Sequence, residues 1–237
     1  MRAGAALVGQ MRVDFASSLR LGGHDLTVIR PSRAKNLSQP AVARWWRYAL
    51  AARRAAQDRR PRNLKMSAAD LRCLDVYYTS PRPVYVVTVP HGDSFNLFPV
   101  DLVSFLGDAG FFLALRSSSP SIPFMQEDGR LVFSSVPAAL RDTIYRLGAH
   151  HTRAYDRVDD LGLALTPSPA FGLPAPAQAF RVREFRVLDH RTVGSHVVFQ
   201  AVQVAISERD LEPQLAHVSA AFARYAARLG APFVAAG

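Results

Sequence analysis

The sequence predicts a mostly β protein with helical insertions, an α+β fold organised as a barrel. Several runs of β-branched and aromatic residues follow one another between residues 84 and 206, each bounded by turn residues. Helical patterns occur only as insertions between these runs or at the ends of the chain. Several strands that follow one another along the chain, without a helix after each, favour a barrel over a doubly wound parallel sheet. With 237 residues, 49% of them hydrophobic, the chain can bury a sizeable core.

Residues 1–80 predict an N-terminal extension that contains a basic helical segment. The segments "MRVDFASSL" and "HDLTVI" are compatible with two short strands joined by an "LGGH" turn. A helix is predicted over "AVARWWRYALAARRAAQ", with Ser38 as its N-cap and with Trp46 and Leu50 on one apolar stripe. A second helix is predicted over "SAADLRCLDVYY", where Ser67 and Asp70 have the spacing of a capping box.

Residues 81–206 predict the barrel, and residues 207–237 predict a C-terminal helix. Val84 to Val89 is typical of a buried strand; a turn at "HGDS" and the connection "NLFPVDLVSFLGDAG" follow it. Further strands are predicted over "FFLALR", "RLVFSSV", "AFRVREFRVLDH" and "HVVFQAVQVAIS", with a helix over "PAALRDTIYRLG". The last helix is expected to begin at a Ser207 cap. Its apolar stripe comprises Leu211, Leu215, Val218, Phe222 and Tyr225.

The net positive charge of the chain arises from one segment. Between Arg30 and Arg72 there are twelve Lys or Arg and two acidic residues, so this span accounts for the whole net charge of +10. Such a segment can meet nucleic acid, an acidic lipid surface or an acidic partner. A solvated helix face with a linker is the more common arrangement, and we favour it here. The basic residues alternate little with aromatic ones, so nucleic-acid binding is not favoured.

Several classes of site lack support in the sequence. The single cysteine, Cys73, excludes an intrachain disulfide and a cysteine-based zinc site. No metal site is expected at the adjacent residues His150 and His151, because neighbouring side chains on a helix point in different directions. No third ligand follows them at a fixed spacing. The chain has no hydrolase nucleophile elbow, zinc-protease motif or dinucleotide fingerprint. No apolar run is long enough for a membrane span, and Arg12 and Asp14 interrupt the N-terminal apolar stretch, so we expect a cytoplasmic protein with no membrane partner.

The stretch "LALRSSSPSIPFM" raises a question about phosphate binding. An apolar strand ends at Arg116, and four hydroxyl residues follow at Ser117, Ser118, Ser119 and Ser121. One interpretation is an ordinary Ser/Pro turn. The other is a phosphate site, in which one cation and several small donors surround an anion.

Taken in order, the segments between residues 81 and 206 resemble the flavin reductase-like family, the FMN-binding split β-barrels. "PRPVYVVTV" and the following "SFNLFPVDLVSFLG" are similar to the strand, turn and small loop that this family places against the flavin. "FFLALRSSSPS" is similar to the strand and hydroxyl-rich loop that hold the flavin phosphate. The segment "FRVREFRVLDHRTVGSHVVFQAVQVA" is similar to the late strand pair with its Gly-Xaa-His turn.

The resemblance implies an antiparallel split β-barrel that binds FMN, with NADH or NADPH as a co-substrate, and that works as a homodimer. It favours the phosphate interpretation for Arg116 and the four serines. It places a loop of Asn96, Leu97, Phe98 and Pro99 along the ring edge of the flavin, although Phe98 fits equally well as a core residue. It also brings His196 to the flavin as the catalytic residue. Asp101 is unusual there, since a carboxylate near the flavin would oppose an anionic reduced ring. A cap for a helix starting at Leu102 is the slightly favoured interpretation.

Two functions from different classes follow from this resemblance. The first is an oxidoreductase of flavin reductase type, in which the flavin carries the chemistry and the protein orients it. The second is a non-catalytic carrier or sensor of flavin or haem that has kept the barrel.

Overall fold

The computed structural model describes residues 7–57, 67–107, 110–148 and 162–228. These residues form two compact units. The first comprises the described residues within Met1–Leu19, Asp25–Arg82 and His217–Gly237, and the second comprises Arg20–His24 and the described residues within Pro83–Ala216. The expected boundaries at residues 80 and 206 stay predictions.

The elements are as follows in chain order. The strands are β1 (Gly9–Leu21), β2 (His24–Asn36), β3 (Arg82–Pro83), β4 (Tyr85–His91), β5 (Ser94–Val100), β6 (Val103–Leu106), β7 (Gly110–Arg116), β8 (Arg130–Ser135), β9 (Leu165–Pro167), β10 (Pro174–Pro176), β11 (Arg181–Val193), β12 (His196–Glu208) and β13 (Ala216–His217). The helices are α1 (Ala41–Gln57), α2 (Ala68–Tyr77), α3 (Ile122–Glu127), α4 (Arg141–Gly148) and α5 (Ala220–Arg228), and a 3-10 turn (Ala138–Leu140) precedes α4.

The second unit is built on a seven-stranded sheet in the order β5-β4-β8-β11-β12-β7-β6. Every neighbouring pair in it is antiparallel. Alternate residues along each strand point to one side, as the two-residue period of a strand requires. On β7 and β12 the buried members of this set are Phe111, Leu113, Leu115, Val197, Phe199 and Ala201, which belong to one apolar cluster. The predicted mostly β, antiparallel fold is confirmed.

Strand β4 separates two apolar clusters, which explains its unbroken apolar sequence. Val87 and Val89 belong to the cluster on one face of β4, and Val86 belongs to the cluster on the other. Ile144 and Leu147 of α4 pack in the second cluster. A strand covered on both faces reads as a continuous hydrophobic run, so the expectation of a buried strand at Val84–Val89 is confirmed by β4.

Three local predictions are corrected by the structure, and one helix was not predicted. The connection after "HGDS" forms strands β5 and β6, and no helix begins at Leu102, so Asp101 does not cap one. Residues 122–127, for which the sequence predicted no element, form α3. Helix α1 begins at Ala41, and Ser38 instead directs its N–H and hydroxyl to Asn36 Oδ1 at 2.9 and 2.5 Å. Ser207 lies within β12, and the last helix begins only at Ala220.

The late start of the last helix has a plain physical reason. The β12 strand continues its ladder with β11 as far as Glu208, which pairs with Arg181. Ser219 then provides the helix cap, because its hydroxyl accepts from the Phe222 N–H at 3.2 Å.

The first unit is organised around a buried carboxylate. Asp75, in α2, is 6% exposed. Its Oδ2 accepts hydrogen bonds from Asn36 Nδ2 at 2.9 Å and from the Tyr48 hydroxyl at 2.7 Å, and its Oδ1 pairs with Arg47. Helix α2 has the predicted capping box between Ser67 and its third helical residue. The Asp75 network therefore joins the end of β2, α1 and α2.

Helix α1 turns its polar side inward. Arg47 and Tyr48 contact the buried carboxylate, whereas Trp46 and Leu50, on the predicted apolar stripe, are 57% and 48% exposed. Trp45 lies against Trp46 with ring centroids 5.0 Å apart. The helix was predicted correctly, but its apolar stripe does not face a core among the described residues.

Candidate functional site

The site lies where β7 ends and β12 begins. Arg116 is the last residue of β7 and His196 is the first of β12, and the two are directly opposite in the antiparallel register. Strand β12 is reached from β11 through a tight turn at Gly194, whose φ of +59° suits glycine. The strand pairing and the turn together bring the two predicted residues side by side, although they are 80 positions apart in sequence.

The serine loop after β7 folds against that turn. The Ser117 N–H and hydroxyl both approach the Ser195 carbonyl oxygen, at 2.9 and 3.2 Å. The Ser119 N–H donates to the Arg116 carbonyl at 2.8 Å, which closes a turn. Ser118 is exposed and makes no hydrogen bond to any described residue. The loop is therefore held by its backbone and by Ser117, which leaves the Ser118 hydroxyl available to a ligand.

Asn96 fixes the far end of the serine loop. It is 3% exposed, and its Nδ2 donates to the Ser121 hydroxyl, itself 1% exposed, at 2.7 Å. Two segments that the sequence analysis assigned to the site therefore meet. The contact is internal, however, so the side chain of Asn96 positions the loop through Ser121.

The segment Asn96–Pro99 does not form the expected loop. All four residues lie in β5, a strand at the edge of the described sheet. Leu97 is 1% exposed in one apolar cluster, and Phe98, 9% exposed, belongs to the other, which agrees with the core interpretation of Phe98. Pro99 lies beside Gly148 at the end of α4. Only the backbone of this edge strand and the half-buried Pro99 remain for a ligand contact.

Arg116 is an exposed cation without an ion-pair partner among the described residues. Its neighbour His196 is half-buried, and its Nδ1 lies 3.1 Å from the Ser195 hydroxyl. Burial, followed by the charge of Arg116, lowers the pKa of His196 from its ordinary value of 6.5. The imidazole is therefore neutral at neutral pH, and the Arg116 guanidinium carries the positive charge of the site.

Two residues near the loop were missed by the sequence analysis. His91, at the end of β4, lies against Phe124 of α3 with ring centroids 4.0 Å apart. Helix α3 begins directly after Ser121, so this aromatic pair supports the loop from the side of β4. The sequence feature that could have indicated α3 is "IPFMQE", which is compatible with a helix that has Pro123 in its first turn.

A family model described as flavin reductase like domain matches residues 77–226. The chain belongs to this family. The family match therefore covers the whole sheet and most of α5, and it extends four residues before and twenty residues beyond the segment on which the resemblance rested. The predicted family is confirmed.

Solved structures agree with this assignment at the level of the fold. An NADH:FAD oxidoreductase from Streptomyces globisporus is 14% identical, with a TM-score of 0.57 over 67% of this chain and 95% of that chain. A nitrilotriacetate monooxygenase component B from Mycobacterium thermoresistibile is 20% identical, with a TM-score of 0.56 over 64% and 84%. An FMN-binding protein from Thermus thermophilus with bound 1-cyclohex-2-enone is 22% identical, with a TM-score of 0.51 over 56% and 74%. Comparison with curated proteins found no match.

These comparisons confirm the split-barrel class predicted from the sequence. Within the described ranges, no group of three or more His, Cys, Asp or Glu side chains is arranged to hold a metal ion; His150 and His151 lie outside those ranges. A search of the same ranges for a helix long and apolar enough to cross a membrane also found none.

Proposed function

We propose that this chain binds FMN through the loop after β7 and acts as an oxidoreductase of flavin reductase type, with NADH or NADPH as the electron donor. The observation that carries the proposal is Arg116. It is an exposed cation with no described ion-pair partner, at the end of a strand and beside a loop of small hydroxyl residues. Family membership adds that the fold is one in which flavin chemistry is found.

The residues at the loop fit a phosphate group. A phosphate dianion needs cationic and hydroxyl donors on a backbone that allows close approach. Arg116 supplies a guanidinium and Ser118 a free hydroxyl. Ser119 accepts the Ser121 N–H at 3.4 Å, which leaves its own hydroxyl proton available to donate. Ser117 and Ser121 shape the loop instead, because their hydroxyls are already engaged by Ser195 and Asn96.

His196 has a different part in this proposal. It is neutral at neutral pH, so it can donate or accept a hydrogen bond without adding charge beside Arg116. The Ser195 hydroxyl next to Nδ1 restrains the ring orientation. We assign His196 the orientation of the bound flavin in the reactive complex, from the end beside Arg116. When bound, the flavin would supply the electron-transfer chemistry, and the protein supplies binding and geometry.

Dimerisation and a cytoplasmic location belong to the same proposal. The family resemblance favours a homodimer. The single cysteine, Cys73, is buried and free, as expected in a reducing compartment.

Anaerobic reduction tests the activity. The purified protein is mixed with FMN and with NADH or NADPH, and the loss of flavin absorbance is compared with a protein-free control. Bleaching well above the control with at least one nucleotide is the expected result. Rates equal to the control with both nucleotides, in a protein that binds flavin, would instead favour the non-catalytic carrier or sensor.

A pair of variants then tests His196. We expect His196→Ala to slow bleaching by a larger factor than it weakens FMN binding, because an orienting group acts mainly in the reactive complex. His190→Ala is the matched control, since His190 is an exposed histidine of the same hairpin. Equal losses of binding and rate in His196→Ala would contradict the orienting role.

A further inference from the structure

Beyond the loop, the second unit carries a continuous outward-facing strip along β7 and β12. The residues of β7 that alternate with its core residues are Phe112, Ala114 and Arg116. The register places Gln200 opposite Phe112, Val198 opposite Ala114 and His196 opposite Arg116, without a shift. Directly opposed residues share a face of the sheet. The strip therefore runs from the charged pair Arg116/His196, over two small apolar side chains, to Phe112/Gln200.

The tip of the first hairpin closes the far end of this strip. Residues Arg20–His24 belong to the second unit, although they lie outside the family match that begins at residue 77. Leu21 is 0% exposed. The Gly22 N–H donates to Asp189 Oδ2 on β11 at 2.9 Å, and His24 meets the edge of the Phe112 ring at a centroid distance of 6.0 Å.

Gly22 is the point of closest approach. A methyl group placed on its Cα would overlap the side-chain amide of Gln200, so only glycine fits at this position of the tip. Gln200 is 4% exposed, and its Oε1 has no hydrogen-bond donor among the described residues. Gly22 therefore covers the Gln200 amide, and the tip seals this end of the strip.

We propose that the hairpin tip, Leu21–His24, is the wall of the flavin site at the ring end. This inference rests on the proposed function. Strands advance by about 3.3 Å per residue, so Phe112 lies about 13 Å from Arg116 along β7. A ligand with a phosphate at Arg116 and a planar heteroaromatic ring toward Phe112 and His24 follows that spacing, and small side chains at Ala114 and Val198 leave room for its linker. The tip lies outside residues 77–226, which match the family model.

Two neighbouring glycines provide a matched test. Gly22 and Gly23 both have positive φ, +51° and +85°, so an alanine at either position is strained. Only Gly22 meets other atoms, because nothing lies within 4 Å of a methyl group on Gly23. Gly22→Ala therefore dislodges the tip, and Gly23→Ala reports the cost of backbone strain alone.

The experiment titrates FMN and riboflavin into wild type, Gly22→Ala and Gly23→Ala, and measures hydrogen exchange of a peptide covering residues 20–24. We expect faster exchange in Gly22→Ala than in Gly23→Ala. We also expect both flavins to bind about tenfold more weakly to Gly22→Ala, the scale of one lost contact. The ratio of FMN to riboflavin affinity should stay at its wild-type value, because the tip acts on the ring that both ligands share.

Each other outcome is decisive. Equal exchange in the two variants would refute the docked tip. Faster exchange with unchanged flavin affinity, or a loss confined to FMN, would overturn the ring-end assignment while leaving the proposed flavin binding intact. Failure of the wild type to bind either flavin would overturn the proposed function itself, and the inference with it.

Discussion

The two units of this chain place their polar and apolar residues in opposite ways. In the second unit, buried apolar side chains such as Phe199 and Phe111 fill the space enclosed by the sheet, and the charged Arg116 faces outward. In the first unit, the charged side chain of Asp75 is buried and the indole of Trp46 is exposed. A hydrophobic pattern therefore located the core of the second unit and misidentified the inner face of α1.

The largest effect is expected in the apolar core of the second unit. Phe199→Ala removes a fully buried ring from β12 and should cost about 3–5 kcal/mol in the free energy of unfolding. Val204→Ala on the same strand is the control, because Val204 is 47% exposed and should cost under about 1 kcal/mol. Denaturant unfolding of both variants measures the difference, and similar costs would show that the sheet encloses no such core.

Much of the second unit was predictable because its strands are defined by short-range patterns. The run Tyr85–His91 and the long strands β11 and β12 follow directly from segments rich in β-branched and aromatic residues. The conversion of "NLFPVDLVSFLG" into two strands was not predictable, because Pro99 and Asp101 are typical of loops. The two strands form by pairing with their sequence neighbours, β5 with β4 and β6 with β7.

The site was predictable only in part, for a related reason. Arg116 and the serines could be found from a single contiguous stretch. The contacts of Ser195 and Asn96 with this stretch, and of Gly22 with Gln200, join segments that are far apart in sequence, which no local pattern reports. The inward face of α1 was missed because a buried carboxylate in another helix outweighs the preference of Trp46 and Leu50 for burial.

A smaller but still large effect is expected at the polar centre of the first unit. Asp75→Ala leaves Asn36, Tyr48 and Arg47 without their shared acceptor. Breaking a buried pair typically costs about 3–5 kcal/mol, and we expect about 2–3 kcal/mol here, because the Arg47 side chain is 33% exposed. Unfolding followed by circular dichroism measures it.

The control for that variant sharpens the contrast between the units. Trp46→Ala on the outer side of α1 should change the free energy of unfolding by no more than about 0.5 kcal/mol, as is usual for surface substitutions. A cost for Trp46→Ala as large as that for Asp75→Ala would contradict the inverted orientation of the helix.

The smallest effect concerns pH and His196. Burial and the Arg116 charge lower the pKa of His196 in the folded protein, so the unfolded chain takes up this proton first as the pH falls. The stability linked to His196 is therefore fully present above pH 6.5 and is lost as the pH falls through the lower folded pKa. His196→Gln should lose less stability than wild type between pH 8 and pH 5, as measured by thermal unfolding. A wild-type pH profile that the substitution leaves unchanged would contradict the lowered pKa.

The central claim is that the outward charge of the second unit holds the phosphate of a flavin, and affinity for two ligands tests it most directly. FMN and riboflavin share the ring and the ribityl chain and differ in the phosphate. Calorimetric titration of both ligands into wild type and Arg116→Ala gives four dissociation constants. We predict that the wild type binds FMN much more tightly than riboflavin. Arg116→Ala should weaken FMN affinity by about ten- to a hundredfold, because it removes a hydrogen bond to a charged group. The affinity for riboflavin should stay almost unchanged. Equal affinity of the wild type for FMN and riboflavin would contradict the account.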